Sequence, residues 1–125
     1  MIQQAPDMGF GAHDNILEDN ILVWTEECGF VRTTRANMVL AEYHLERNFF
    51  LREYALLEEL YDFMGFKPLR AREYDCKSYG WTIDELWERG YSWIDFYHKR
   101  NMLDGKIYYE LVFDPDPWYI EDLLT

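Results

Sequence analysis

The stretch YSWIDFYHKRNMLDGKIYYELVFDPDPW, Tyr91 to Trp118, contains the turn on which the fold depends. Asp104-Gly105 suits a two-residue type I′ turn, because both central residues take positive φ, which Gly accepts freely and Asp tolerates. If Leu103 pairs with Lys106, the register runs outward from that turn. Ile94, Phe96, His98, Arg100 and Met102 then share a face with Ile107, Tyr109, Leu111 and Phe113, the expected core side. The opposite face carries Asp95, Tyr97, Lys99, Asn101, Tyr108, Glu110 and Val112, and Trp93 falls on the same side. Lys99 stands opposite Glu110, a favourable cross-strand charge pair. Turn chemistry, alternation and charge therefore agree on one β-hairpin. Asp114-Pro-Asp-Pro117 stops the second strand, and Asp116 as cap with Pro117 at the first helical position predicts a short terminal helix.

Upstream, TTRANMVLAEYHLERNFFLREY opens with Thr33 or Thr34 as helix cap and has no Gly or Pro as far as a break near Arg52–Tyr54. Two rows, Ala36/Leu40/Tyr43/Arg47/Phe50 and Met38/Ala41/Leu45/Phe49, make a broad apolar face with Arg35, Glu42 and Glu46 outside it. ALLEELYDFMGFKP predicts a second helix with Leu56, Leu60, Phe63 and Met64 inward and Glu58, Glu59 and Asp62 outward. Gly65 is placed for a left-handed end, Phe66 to pack back and Pro68 to prevent continuation. A short connection implies an antiparallel helix hairpin. KPLRAREYDCKSYG reads as a polar, basic connector, and Thr82 with Glu85 as a capping box for one or two turns ending at Gly90. In HDNILEDNILVWTEECGF, Leu17, Ile21, Trp24 and Cys28 fit a helical stripe, while Ile21–Thr25 fits a short buried strand. Both readings stand, with the strand preferred.

The 125 residues fit one domain over 13–125, preceded by a flexible arm at 1–12, where Pro6, Gly9 and Gly11 interrupt any period. With 49% hydrophobic and 18% aromatic residues, core material suffices without metal or disulfide staples. The expected fold is α+β: the helix hairpin packed on a small antiparallel sheet built around the C-terminal β-hairpin.

Net charge is −12, from 24 acids against 12 Lys and Arg. Such a surface repels phosphate backbones, so nucleic acid is an improbable partner. The charge is uneven: Met1 to Val31 holds six acids and no Lys or Arg, and the last sixteen residues hold five more. Cys28 and Cys76 form neither CxxC nor zinc spacing, and two unstapled thiols fit a reducing compartment. No apolar run reaches the length of a membrane span, so the expected location is cytoplasmic, away from membranes.

The order of motifs, with AEYHLERNFFLR, LYDFMGF, the Gly80-Trp81-Thr82 step and Trp93–Gly105, resembles a family of small proteins encoded by bacteriophages and integrative elements of Gram-positive bacteria, a domain of unknown function. The resemblance runs from about Trp24 to Pro115. This chain departs from it at Glu53, where the family carries Gly before the Tyr, and at Ala55–Leu56, where the family has a small polar cap. The family brings no established activity, so the resemblance implies only a mobile-element origin.

Catalytic chemistry finds little purchase in the sequence. His98 near Arg100 and Tyr109 is the one tempting centre, a base if a carboxylate orients it, but Asp95 points to the other face. His44 lacks the second His of a metal-binding helix, since Asn48 stands four positions on. Asp114 and Asp116 beside Glu110 lack a calcium-loop pattern. Lys67, Arg70, Arg72 and Lys77 with Tyr74 and Tyr79 could meet an acidic partner. Most of the five tryptophans are expected in the core. No catalytic residue, metal or cofactor is assigned. The leading expectation is an acidic, non-enzymatic protein-binding module that uses Trp93, Tyr97, Tyr108, Asp114 and Asp116, with a protein partner and a possible homo-oligomer. The alternatives are a virion or assembly component, and a small enzyme or ligand-binding domain around His98 and Arg100.

Overall fold

The structure, a computed structural model, describes residues 20–120. The arm expected at 1–12 and the chain beyond Ile120 lie outside the described residues. The elements in order are β1 (Asn20–Thr25), β2 (Gly29–Thr34), α1 (Arg35–Arg52), β3 (Tyr54–Leu56), α2 (Leu57–Met64), a 3-10 turn (Arg70–Arg72), α3 (Glu73–Ser78), β4 (Tyr79–Thr82), α4 (Ile83–Glu88), β5 (Asp95–Leu103), β6 (Lys106–Asp114) and β7 (Trp118–Tyr119). The fold is α+β, with two sheets.

The β5–β6 hairpin has the expected register, from Leu103 against Lys106 through Lys99 against Glu110 to Asp95 against Asp114. Asp104 at φ 51 and Gly105 at φ 78 are both left-handed, as a type I′ turn requires. The hairpin belongs to a four-stranded sheet of order β2-β1-β6-β5. That sheet is mixed rather than wholly antiparallel, because β1 runs parallel to β6. The Ile21–Thr25 segment is a strand, and its inward residues Ile21, Val23 and Thr25 are buried.

α1 begins at Thr34, whose side chain accepts the Asn37 N–H at 3.0 Å. Met38, Ala41, Leu45 and Phe49 form its buried stripe, at the spacing that keeps one helical face inward. The second row expected inside is not: Leu40, Tyr43 and Phe50 are exposed, together with Val39 and Leu51. One helix face suffices to fill the space against α2 and the larger sheet, so the broader apolar surface stays outside. α1 ends on Glu53, left-handed at φ 73, whose N–H donates to the Phe49 carbonyl. That is the conformation Gly adopts without strain.

The helix hairpin is antiparallel: Asn37 at the start of α1 donates to the Met64 carbonyl at 2.9 Å, and Arg52 at its end pairs with Glu59 at 2.6 Å. α2 starts at Leu57, two residues later than the helical pattern begins, because Tyr54–Leu56 is captured as a strand by Gly80–Thr82. Its buried residues are Leu57, Leu60, Tyr61 and Met64, while Phe63 turns outward. Gly65 and Phe66 close it as expected. Thr82 is the cap of α4, but its side chain makes no capping bond, and Glu85 instead accepts from Arg89 at 2.8 Å.

Two segments differ from expectation. The supposed connector folds into the 3-10 turn and α3, burying Cys76 and Ser78. Trp118–Tyr119 is a strand on β4 where a helix is expected, held by the Ile120 N–H to the Ser78 carbonyl at 2.8 Å. β3, β4 and β7 thus form a second sheet, antiparallel throughout. Trp81 is its anchor, fully buried with its indole N–H on the Pro115 carbonyl at 2.9 Å. Of the other tryptophans, Trp24 and Trp118 are half-buried and Trp87 and Trp93 exposed, so the expected tryptophan core reduces to one residue. No helix among the described residues is long and apolar enough to cross a membrane.

Candidate functional site

The two halves of the larger sheet are joined by a parallel ladder of Val23 with Tyr109 and Trp24 with Glu110. Past Trp24 the chain turns through Glu26, Glu27 and Cys28 into β2, while β6 continues along β5 as far as Asp114. The strands part, and a cleft of about 950 Å³ opens between them. Trp24 to Glu27 form one wall and Glu110 to Phe113 the other. Leu57 and Tyr61 reach it from α2, Arg72, Asp75 and Tyr79 from the 3-10 turn, α3 and β4, and Asp116 and Pro117 from the strand terminator.

Five carboxylates line this cleft (Glu26, Glu27, Asp75, Glu110 and Asp116) against one guanidinium, that of Arg72. Arg72 bridges two walls, 3.4 Å from Glu26 and 3.3 Å from Asp75, through half-exposed pairs that each contribute little to stability. Glu27 accepts the Tyr61 hydroxyl at 2.7 Å. Burial, reinforced by the Glu27 charge, pushes the Tyr61 hydroxyl far up, so it stays a donor. Burial raises the thiols of Cys28 and Cys76 as well, the latter to about 12 with Glu27 as second cause. Neither is an activated nucleophile. The cleft therefore presents negative charge and the rings of Trp24, Tyr61, Tyr79 and Phe113, a chemistry suited to holding cations.

The residues singled out from sequence do not converge. Trp93 and Tyr97 are each 53% exposed, and the Trp93 indole N–H donates to Asp95 at 2.7 Å. Tyr108 is half-buried, edge-on to Phe30, which in turn packs on Trp24. Asp114 accepts the Tyr91 hydroxyl at 2.9 Å, and Asp116 alone of the five lies in the cleft. Trp24, Tyr61 and Asp75 escaped the sequence reading. Each comes from a different element, and only the acidity of the two chain ends signalled any of this site: Glu26, Glu27, Glu110 and Asp116 all belong to those acid-rich segments.

His98 has a carboxylate after all, Glu42 at 2.7 Å, donated by α1 rather than by the hairpin. Glu42 and Glu46, expected to face solvent, both turn to the hairpin. Glu46 accepts the Ile94 N–H at 3.3 Å. His98 does not line the cleft between β1 and β6. Among the described residues no group of three or more His, Cys, Asp or Glu is arranged to hold a metal ion. Compared with known proteins, the chain matches no family model, no curated protein and no solved structure.

Proposed function

We propose that this protein is a binding module that holds a positively charged segment of a partner protein in the cleft between β1 and β6. The observation that carries the reading is the lining: five carboxylates and four aromatic rings around about 950 Å³, with one internal cation. Lys and Arg side chains in such a cleft gain charge-assisted hydrogen bonds and ring faces together. The net charge of −12 steers a basic partner toward it. The motif order, similar to that of phage and integrative-element proteins, favours a basic host protein as that partner, and two buried free thiols fit a cytoplasmic setting.

The test is titration with a fluorescein-labelled peptide of alternating Arg and Val. Binding is expected to weaken steeply with salt and to fall at least about tenfold in Glu26→Gln/Asp75→Asn/Asp116→Asn. The control Asp84→Asn/Glu88→Gln/Asp104→Asn removes the same charge from exposed positions elsewhere. Equal losses in the two triple variants would reduce the effect to bulk acidity and sink the proposal. Arg72→Ala frees Glu26 and Asp75, and is expected to tighten the peptide about threefold.

A further inference from the structure

The ladder between β1 and β6 opens at its other end too. Asn20 to Leu22 stand apart from Lys106 and Ile107, and a second cleft of about 460 Å³ lies there, lined also by Arg32, Arg35 and Tyr109. Its electrostatics are opposite. Three of the chain's 12 Lys and Arg residues meet in it, and no carboxylate lines it, although the chain has 24 acids. The three come from β2, the first position of α1 and the first position of β6. Among the described residues the ion pairs are made by Arg52, Arg72, Arg89 and His98, never by Arg32, Arg35 or Lys106.

Arg35 deepens the positive charge. α1 has no acid in its first turn, and a cation there adds to the positive end of the helix dipole instead of opposing it. Its guanidinium lies 5.1 Å from the centre of the Tyr109 ring and donates to the Tyr109 hydroxyl at 3.4 Å. That fixes the guanidinium and leaves the phenolic O–H free to donate into the cleft. Gathering three like charges is unfavourable in the empty protein, and a multivalent anion reverses the sign.

We propose that this cleft binds a small phosphate-type anion, with Arg32, Arg35 and Lys106 as its ligands and the Tyr109 hydroxyl as a further donor. Phosphate fits better than a single carboxylate, since its oxygens point in several directions and can meet cations arriving from three elements, whereas a planar carboxylate saturates on one guanidinium fork. The site is separate from the acidic cleft, so either reading stands without the other.

The full chain is titrated calorimetrically with inorganic pyrophosphate, with inorganic phosphate and with malonate as the carboxylate arm. Pyrophosphate is expected to bind tightest and malonate weakest. Arg35→Ala and Lys106→Ala should each weaken pyrophosphate at least about tenfold, with Arg47→Ala, which removes one exposed cation outside both clefts, unchanged as the control. Lys106 is exposed at a strand end, so its variant keeps the test valid if Arg35→Ala misfolds. The same titration on Glu18→Gln/Asp19→Asn removes the acids that directly precede Asn20. Binding that appears only there still assigns the site. Absence of binding in both chains, malonate as strong as pyrophosphate, or wild-type affinity in Lys106→Ala overturns the proposal.

Discussion

The Glu46 carboxyl sits between α1 and the entry to the hairpin, where burial pushes its pKa up to about 7. The Ile94 N–H works against that rise and the Asp95 charge adds to it. A carboxyl whose folded pKa lies above its unfolded value stabilises the fold fully below the unfolded value, near 4.5, and that contribution disappears as pH climbs through about 7. Glu46→Gln keeps an acceptor for Ile94 and cannot ionise. It is therefore expected to be more stable than the native chain by about 1–2 kcal/mol near pH 8, the shift being discounted for partial exposure, and equal to it near pH 4.5. Urea unfolding at both pH values decides: a stabilisation that does not vanish in acid assigns the effect to something other than titration. Gly80 illustrates a different constraint. A Cβ there would stand 2.1 Å from the Ala55 carbonyl oxygen, inside backbone that cannot give way. Gly80→Ala should lose about 3 kcal/mol, at the upper end of overpacking losses, and detach β3 from β4. Amide exchange at Ala55, paired with Trp81, as slow as in the native chain would contradict this.

Elements whose specification is local were readable from their residues. The hairpin follows from Asp104-Gly105 and a two-residue alternation, and α1 from an uninterrupted run behind Thr34 with a buried stripe of three- and four-residue steps. The second sheet was not readable. Its strands are two to four residues long, too short for a period, and each exists because another segment supplies its partner: Tyr54–Leu56 needs Gly80–Thr82, and Trp118–Tyr119 needs Tyr79–Gly80. The same distance in sequence hid the pairing of His98 with Glu42, 56 positions apart. Where local chemistry and fold disagree, a gain is available. Glu53 takes the left-handed conformation at φ 73 that a side chain disfavours, and it makes no side-chain bond that defends it among the described residues. Glu53→Gly should raise stability by about 0.5–1 kcal/mol, the relief of strain exceeding the extra entropy of the unfolded chain. Chemical denaturation with unchanged slope is the readout, and a loss of stability would place the strain elsewhere.

At the scale of the whole molecule the short parallel ladder between β1 and β6 separates two clefts of opposite charge. That arrangement depends on which strands neighbour each other, and no single segment carries it. What the sequence did carry was the unevenness of charge, acid-rich ends around a middle that holds all the bases, and the fold converts this into an acidic wall built mostly from the two ends. The same imbalance makes a global prediction whose sign is in dispute between two effects. Added salt weakens the ion pairs, which favour the fold, and also the mutual repulsion of a chain at −12, which opposes it. The pairs of Arg72 and Arg89 are half-exposed, and such pairs are worth about 0–1 kcal/mol each. Repulsion acts among many carboxylates packed together, five of them around a single cleft, and screening all of them outweighs the loss of a few surface pairs. The melting temperature should accordingly rise, by about 4 °C between about 0.02 and about 0.3 M NaCl, equivalent to about 1 kcal/mol. Neutralising Glu26, Asp75 and Asp116 should flatten that rise, because it removes the densest part of the repulsion. A melting temperature that falls with salt would mean that the ion pairs dominate, and that the acidic cleft is less strained by its own charge than its lining implies.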